Sequence, residues 1–205
     1  MQAVPQTLGR RERNKQEKLD RITAAARELF TQYGVDEVTT QQVAEKADVG
    51  SGTLFLYAKT KAELLLLVHN VKYAEALNSG VADAEQEEAV LDGIMAIIRP
   101  IIKCNRVQIE NGRTYLKEIV FGDPAEPHHA EALALTIRTE AAIAEVLGRD
   151  EQLTARGPGK IARVISAIMF VSMSSSANSG LTDEQVGDEI RDQINVVLAA
   201  GSQRR

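Results

Sequence analysis

The sequence predicts an all-α protein, and three observations support this fold class. Apolar residues recur at spacings of three and four, the period of one helix face, and good helix formers dominate the 205 residues. No segment shows the alternation of apolar and polar residues that marks a half-buried strand. Three segments begin with a threonine followed three residues later by Gln or Glu, which is the pattern of a capping box (Thr39, Thr60 and Thr182).

We expect about nine helices joined by short breaks. The first spans residues 14–33 and ends at Gly34, where a left-handed C-terminal cap is typical. Two short helices follow, and the fourth helix begins at Lys61 and runs to residue 78. The remaining helices are expected over residues 84–103, 113–121, 125–147, 159–178 and 182–200. Pro100 is expected to kink or divide the fifth helix, because it lacks an N–H and crowds the preceding turn.

The composition excludes several classes of protein. The chain has one Cys and three His, which argues against a disulfide framework and against Cys-based or His-based metal sites. His128 and His129 are adjacent, point about 100° apart on a helix, and are expected on the surface at a helix start. The longest aliphatic run, Leu64–Val68, is far shorter than the ~20 residues of a membrane span. The polar N-terminus lacks the apolar segment of a signal peptide, so we predict a soluble cytoplasmic protein without cofactor, metal or catalytic residues.

Charge is distributed unevenly along the chain. Residues 1–61 carry 10 basic and 8 acidic residues, a net charge of +2, whereas residues 62–205 carry 14 and 21, a net charge of −7. Within residues 1–27 the excess is +4. A basic head on an acidic body indicates that only the head meets a polyanion.

From Thr40 onward the residues follow the spacing of a helix-turn-helix. Counting Thr40 as one, apolar residues at positions four, eight, ten, fifteen and eighteen form the shared core of two crossing helices (Val43, Ala47, Val49, Leu54 and Tyr57). The fifth position, where the helices touch, holds the small Ala44. The ninth begins the turn and often needs a positive φ, which Asp48 is among the few residues to tolerate. The alternative is a plain helical hairpin within an all-α domain.

The stretch from Ile22 to Leu66 resembles the DNA-binding domain of TetR-family transcriptional regulators. This stretch covers about a quarter of the chain, and the matching segments within it are residues 24–30, 34, 38–49, 52–57 and 61–64. The resemblance implies an N-terminal three-helix helix-turn-helix DNA-binding domain and a larger C-terminal helical domain for ligand binding and dimerisation. It also implies a repressor that is released from a palindromic operator by a small molecule. Asp48 and Phe55 depart from the family pattern, which usually has Gly and commonly Tyr at these places.

The resemblance and the outward positions of the two short helices give a set of expected DNA-contacting residues. Gln41 can pair bidentately with adenine, and Lys61 matches the family's phosphate-binding lysine. Thr39 has the alternative role of a helix cap, and the ring of Tyr57 that of core packing. The full set is Thr39, Thr40, Gln41, Ser51, Gly52, Thr53, Phe55, Leu56, Tyr57 and Lys61. Further basic residues (Arg10, Arg11, Arg13 and Lys15) are expected either to follow the DNA backbone or to stay disordered.

A ligand pocket is expected in the region after residue 80. The expected lining combines flexible apolar side chains with two polar anchors, and ordinary core packing is the alternative for each apolar member. The set is Met95, Arg113, Tyr115, Phe121, Met169 and Met173.

The last two predicted helices carry apolar residues around more of their circumference than one domain needs, which indicates a homodimer through a four-helix bundle. The expected interface residues are Ile161, Ile165, Ile168, Val186, Ile190, Ile194 and Val197. The alternative is that both stripes face the core of their own chain and that the protein is a monomer.

The expected organisation has four parts. They are a basic flexible arm (1–13), a helix-turn-helix domain (14–60), a connecting helix (61–80) and an effector-binding and dimerisation domain (81–205). The expected partners are double-stranded operator DNA, an unidentified small-molecule effector and a second copy of the chain, with no membrane. An all-helical enzyme or small-molecule carrier without a DNA role is the alternative from another class. The basic head and the ordered helix-turn-helix argue against it.

Overall fold

A computed structural model describes residues 9–200, in which every regular element is helical, so the predicted all-α fold class is confirmed. This range contains ten α-helices, one more than predicted. They are α1 (Arg10–Tyr33), α2 (Thr40–Lys46), α3 (Ser51–Leu54), α4 (Lys61–Ala84), α5 (Val90–Arg106), α6 (Ile109–Phe121), α7 (Pro127–Leu147), α8 (Glu151–Ala155), α9 (Pro158–Ser174) and α10 (Asp183–Ala199). A 3-10 turn (Ser176–Asn178) separates the last two.

The described chain divides into two compact units, residues 9–68 and residues 69–200, called unit 1 and unit 2 below. In unit 1, α1 packs on α2, and α2 packs on α3. Five apolar side chains, each no more than 2% exposed, form the core of this unit (Ile22, Ala26, Phe30, Val43 and Leu54). The core holds the two short helices in a fixed position against α1.

The first helix begins earlier than predicted. Helix α1 starts at Arg10 after an extended Gly9, so residues 10–13 are helical and do not form the expected loose arm. Arg and Glu are good helix formers, and no breaker lies between Gly9 and the predicted start at Asn14. Residues 1–8 of the expected arm lie outside the described residues.

Local end signals account for several helix boundaries. Complete capping boxes begin α2 and α10, at Thr39 and Thr182. At Thr60 the hydroxyl accepts a hydrogen bond from the backbone N–H of Glu63 at 3.0 Å. Gly34 ends α1 with the predicted positive φ of 83°, although its ψ of 153° lies outside the left-handed helical region.

In unit 2, α7 packs against α5, α6 and α9, and α10 packs against α5 and α9. Helix α5 continues through Pro100, so the proline does not divide it. Because Pro100 has no N–H, the carbonyl of Ala96 lacks its usual partner within the helix. A Cβ atom at Gly80 of α4 would lie only 2.8 Å from that carbonyl oxygen, so glycine permits the close approach of α4 and α5 at this point.

Arginine side chains close the C-terminal ends of three helices in unit 2. Arg149 donates to the carbonyl of Ala84 at the end of α4, at 2.9 Å. Arg113 donates to the carbonyl of Ser174 at the end of α9, at 3.1 Å. Arg156 donates to two carbonyls at the end of α10, at 2.9 and 3.1 Å. Each guanidinium pairs with carbonyls that have no partner within their own helix.

A fourth arginine joins the end of α5 to the start of α10. The side chain of Arg106 is 3% exposed and pairs with Asp183 at 2.9 Å. It also donates to the backbone carbonyls of Asn178 and Leu181 in the turn that precedes α10. None of the residues Ser176–Asn178 is buried, so these hydrogen bonds are what hold the turn in place.

Some predicted boundaries are wrong for local reasons. Helix α4 continues six residues beyond the predicted end at residue 78, and α5 starts later, at Val90. Helix α8 was not predicted, because its five residues are too few to show a periodicity. Its start signal is Asp150, whose carboxylate accepts hydrogen bonds from the N–H groups of Gln152 and Leu153 at 2.8 and 3.0 Å.

Candidate nucleic-acid interface

The N-terminus of α2 is fixed by a reciprocal pair of hydrogen bonds. The hydroxyl of Thr39 accepts from the backbone N–H of Gln42 at 3.2 Å, and the side chain of Gln42 accepts from the backbone N–H of Thr39 at 2.8 Å. Thr39 therefore serves as a helix cap while its side chain stays exposed. Thr40 is half-buried, and Gln41 is exposed with its amide donating to Glu45 at 3.0 Å.

The turn between α2 and α3 contains Asp48 with a φ of 52°, the one non-glycine residue with positive φ among residues 9–200. This confirms the expected left-handed conformation at the ninth position of the helix-turn-helix. The carboxylate of Asp48 is 96% exposed and lies 3.2 Å from the guanidinium of Arg21 on α1. An ion pair this exposed contributes little to stability, so backbone strain dominates the energetics of this residue.

We expect Asp48→Gly to be more stable than Asp48→Ala by about 1 kcal/mol, because Ala cannot adopt a positive φ without strain and Gly can. Both variants lack the ion pair with Arg21, so their difference isolates the backbone conformation. Urea denaturation of the two variants under identical conditions measures this difference. Equal midpoints would mean that the turn relaxes without cost.

The outward side of α3 presents small and apolar side chains to solvent. Ser51 and Gly52 are exposed at its start, Thr53 is half-buried, and Leu54 is buried in the core of unit 1. Immediately after α3, Phe55 is 45% exposed and Leu56 is 84% exposed. An 84% exposed leucine contributes little to folding, and its contact with a thymine methyl group or a sugar would bury apolar surface.

Two of the expected DNA-contacting residues bond to the backbone of unit 1. The hydroxyl of Tyr57 donates to the carbonyl of Lys15 on α1 at 3.1 Å, and its side chain is half-buried. The ammonium group of Lys61 donates to the carbonyl of Asp36 at 3.1 Å. Tyr57 therefore joins the end of α3 to α1, and Lys61 keeps further N–H donors for another acceptor.

The exposed surface of α1 is basic near its start. The exposed basic residues are Arg10, Arg11, Arg13 and Lys15, and from Arg11 onward they occur at every second position of the helix. Helical placement limits their reach compared with a loose arm, because it fixes the direction of each side chain.

The expected ligand-binding residues fall into two groups. Met95, Tyr115, Met169 and Met173 lie in the interior of unit 2 and are each no more than 5% exposed. Phe121 is 78% exposed, so its assignment to an interior pocket is wrong. Arg113 closes the end of α9 and pairs with Glu110 at 2.9 Å, because it lies one helical turn from that carboxylate.

Tyr115 belongs to a buried polar network that links three helices of unit 2. Its hydroxyl donates to the side chain of Asn70 on α4 at 3.0 Å, and its ring lies 4.1 Å from the ring of His69, centre to centre. Asn70 in turn donates to the carbonyl of His128 on α7 at 2.9 Å. Tyr73 and Thr139 share a hydrogen bond of 3.2 Å.

Burial keeps the ionisable rings of this network uncharged, while the carboxylate of Glu131 accepts a hydrogen bond from Asn70 at 3.0 Å. Desolvation lowers the pKa of His69 to about 4, with a hydrogen bond to Asn105 opposing the shift, and raises the pKa of Tyr73 to about 12. The pKa of Tyr115 is raised as well, again by desolvation. Burial raises the pKa of Cys104 to about 11, so its thiol is uncharged at neutral pH.

We expect His69→Gln to reduce the acid sensitivity of the protein. The pKa of His69 is lower in the folded state than its usual 6.5, so the unfolded chain takes up the proton first and stability falls as pH drops from 6.5 to 4. This group accounts for roughly 3 kcal/mol across that window, and Gln has no charge to acquire. Urea midpoints at pH 7 and pH 4.5 measure the effect; an unchanged pH dependence in the variant would contradict it.

His129 is the polar residue that sequence reasoning placed incorrectly. It is 3% exposed and not on the surface, because it starts the buried face of α7 that continues through Ala132, Leu135, Thr139 and Ile143. This spacing of three and four was readable from the sequence. Neither ring nitrogen of His129 has a hydrogen-bond partner within residues 9–200.

Most of the expected dimer residues face the core of their own chain. Ile165, Val186, Ile190 and Ile194 are completely buried within unit 2, and Ile161 is 6% exposed. Their assignment to a subunit interface is therefore wrong, because periodicity identifies an apolar face without identifying its partner. Ile168 and Val197 are half-buried.

Other apolar side chains of α9 and α10 are exposed instead. Val164 is 48% exposed and Val171 is 65% exposed on α9, with the exposed Ala167 between them. On α10, Val196 is 69% exposed. The spacing of Val164, Ala167 and Val171 places them on one face of α9.

Residues 9–200 contain neither a cluster of metal-ligating side chains nor a helix suited to cross a membrane. In this range no three His, Cys, Asp or Glu side chains are grouped so that they could hold a metal ion. No helix there has the length and apolar character needed to cross a membrane.

Known proteins match this chain in sequence and in fold. Residues 22–68 match the family described as bacterial regulatory proteins, tetR family. The HTH-type transcriptional regulator TcmR of Streptomyces glaucescens is 27% identical over 165 residues, which cover 80% of this chain and 66%, just under two thirds, of that protein.

Two solved structures share the fold. Thermus thermophilus FadR, a TetR-family transcriptional repressor in complex with lauroyl-CoA, has a TM-score of 0.67 at 21% identity, over 91% of this chain and 96% of that chain. AibR in complex with isovaleryl coenzyme A and operator DNA has a TM-score of 0.59 at 15% identity, over 86% and 97%. The matched segment 22–68 contains the capped α2, the left-handed turn and α3. Residues 22–68 are therefore similar to the tetR family of bacterial regulatory proteins.

Proposed function

We propose that this protein is a ligand-responsive DNA-binding transcriptional regulator, a repressor that a small molecule releases from a palindromic operator. The observation that carries the proposal is the exposed surface of α3 and of the residues just after it. Ser51 and Gly52 on α3 and Phe55 and Leu56 after it face solvent, while Leu54 anchors the helix in the core. A short helix whose outer face is free and whose inner face is fixed is suited to enter the major groove. The match of residues 22–68 to the tetR family of bacterial regulatory proteins supports the same function.

Within this proposal the two short helices divide the work of DNA binding. Thr39, Thr40 and Lys61 contact phosphates, and Gln41 reads a base edge once its amide leaves Glu45. Ser51, Gly52 and Thr53 enter the groove, and Phe55 and Leu56 contact methyl groups or sugars. Tyr57 acts mainly by holding the end of α3 against α1 through its bond to Lys15.

The proposed domain organisation assigns DNA binding to residues 14–60 together with the helical basic residues before them. The connecting segment is 61–80, and residues 81–205 hold the effector and the dimer contacts. Two relatives named above were solved with CoA thioesters, and one of these with operator DNA, which supports an effector and an operator for this chain. A regulator of chromosomal DNA acts in the cytoplasm.

We place the homodimer contact on the exposed valines of α9 and α10. Val164, Ala167 and Val171 form an exposed apolar stripe on α9, and Val196 adds to it on α10. Two such helices from each subunit would form a four-helix bundle about a two-fold axis. Two-fold symmetry also matches a palindromic operator, because one recognition helix contacts too few bases to be specific.

A gel-shift assay with the full chain and the DNA upstream of its own gene tests the proposed function. We expect a complex that survives competitor DNA and weakens steeply between two salt concentrations, since several phosphates are contacted. Lys61→Ala should weaken binding to all sequences and flatten the dependence of log K on log salt by about one unit. Lys117→Ala, an exposed lysine on α6, is the matched control and should leave both unchanged. A chain that shifts no fragment would favour the carrier or enzyme alternative.

A further inference from the structure

The imidazole of His129 is a buried polar group whose hydrogen-bonding capacity is unsatisfied within residues 9–200. The residue is 3% exposed, and neither Nδ1 nor Nε2 has a hydrogen-bond partner among residues 9–200. A buried polar atom left without a partner costs about 1–3 kcal/mol, so such groups are normally satisfied by protein, water or ligand. The position of His129 at the start of α7, packed inside unit 2, therefore marks a place where a further polar atom is expected.

His129 lies against the same face of α6 as Tyr115. A Cβ atom on Gly122 would lie 2.6 Å from Cδ2 of His129, so the imidazole packs directly on the end of α6. Tyr115 and Gly122 are seven residues apart, which places them on one side of the helix and about 10 Å apart along it. The carbonyl of His128, the residue before His129, accepts the hydrogen bond from Asn70 that continues to Tyr115.

The aromatic and imidazole rings near this face are uncharged, and one carboxylate, that of Glu131, accepts a hydrogen bond from Asn70 at 3.0 Å. The rings of His69 and Tyr115 lie 4.1 Å apart, and those of Tyr73 and Tyr115 lie 6.1 Å apart. Their hydrogen bonds go to amide or hydroxyl groups of Asn105, Asn70 and Thr139. Aromatic rings stack on a flat ring in an offset arrangement, and the amide and hydroxyl groups beside them are neutral hydrogen-bonding partners.

The arginines that approach the interior of unit 2 are bonded elsewhere. Arg106 pairs with Asp183 and Arg113 with Glu110, and both also donate to backbone carbonyls. Arg149 donates to the carbonyls of Ala84 and Glu87. A carboxylate or phosphate brought beside His129 and Tyr115 would therefore lose its hydration without gaining a counter-charge.

We propose that His129 is a polar anchor for the effector and that the effector is a neutral, ring-containing compound with hydroxyl or carbonyl groups. This inference rests on the proposed function, in which unit 2 binds a small-molecule effector, and it names the chemical class of that effector. One polar group of the ligand bonds to His129, and the ring system extends along α6 towards Tyr115 and His69. The buried and flexible side chains of Met95, Met169 and Met173 on α5 and α9, which pack on α7, accommodate the rings.

Three probes with one ring system test the ligand class on the full chain. They are 2,6-dihydroxynaphthalene, naphthalene and 2,6-naphthalenedicarboxylate, and the fluorescence of the probes is read directly because the chain has no Trp. We expect the dihydroxy compound to bind about tenfold more tightly than naphthalene, the effect of one good hydrogen bond, and the dicarboxylate to bind most weakly. Tightest binding by the dicarboxylate, or no binding by the dihydroxy compound, overturns the proposal.

Variants of His129 test the anchor. His129→Leu should bring the dihydroxy compound and naphthalene to nearly equal affinity, while His129→Gln, which keeps a hydrogen-bonding group, should retain most of the difference. His128→Leu at the neighbouring position is the matched control and should retain it fully. An unchanged preference in His129→Leu shows a structural role only and overturns the assignment. Because no DNA is present, failure here leaves the gel-shift result intact, and a failed gel shift leaves this measurement intact.

Discussion

Val164→Asp combined with Val171→Asp is expected to give a folded monomer that binds operator DNA far more weakly than the wild type does. Both side chains are exposed in the single chain, at 48% and 65%, so aspartates there cost the folded monomer little. In a dimer that buries this face of α9, four carboxylates would be desolvated without partners. Loss of the second half-site contact should lower operator affinity on the order of 100-fold or more.

Light scattering gives the mass of this variant, and circular dichroism shows whether it is folded. Val107→Asp, at a position 70% exposed just after α5, is the control and should keep the mass of the wild type. Ile165→Asp is a second comparison, on a side chain of the same helix that is fully buried within the chain. This variant should unfold rather than dissociate into folded monomers. A folded dimer in the double variant would mean that the interface lies on another surface.

Arg106→Leu is expected to lower the free energy of unfolding by about 3 kcal/mol, the largest stability effect among the polar residues discussed. The loss has a specific source. The side chain of Asp183 is 50% exposed and can be rehydrated when Arg106 is removed. The carbonyls of Asn178 and Leu181 lose a donor, and the start of α10 loses its tie to α5.

Urea denaturation of Arg106→Leu and of Asp183→Asn separates these contributions. Asp183→Asn removes the charge and leaves the bonds to the carbonyls, so its cost should stay below about 1 kcal/mol. Arg106→Lys should recover only part of the loss, because one ammonium cannot span both carbonyls and the carboxylate. Equal costs for the Leu and Asn variants would assign the whole effect to the ion pair.

Features that depend on a few neighbouring residues were predictable from the sequence. The capping box at Thr39, the positive φ of Asp48 and the start of α3 at Ser51 follow from local chemistry. Ala44 and Leu54, predicted from spacing to be in the core, are 1% and 0% exposed. In the same way the exposed Ser51, Gly52 and Leu56 follow from the helix period.

Features that depend on a distant partner were not predictable in this way. The stripe containing Ile190 and Ile194 is apolar, but only the packed chain shows that its own α5 and α9 cover it. The sequence suggests Arg113 as a ligand anchor because its side chain is charged and polar. It does not show that this side chain donates to the carbonyl of Ser174, which lies 61 residues away. Lys61 keeps its expected place at the start of α4, and its contact with Asp36 depends on the path of the loop after α1.

The arginine closures at the ends of α4, α9 and α10 have a consequence for chemical modification. A guanidinium group keeps its charge at every pH that the protein meets, and acetylation acts on lysine rather than arginine. Acetylation of Lys61 would remove a positive charge from unit 1 and its bond to Asp36. The bonds of Arg113, Arg149 and Arg156 would stay in place. Amine-reactive reagents therefore remove positive charge from unit 1 and leave the arginine bonds at these helix ends of unit 2 intact. Dicarbonyl reagents, which modify arginine, would break those bonds.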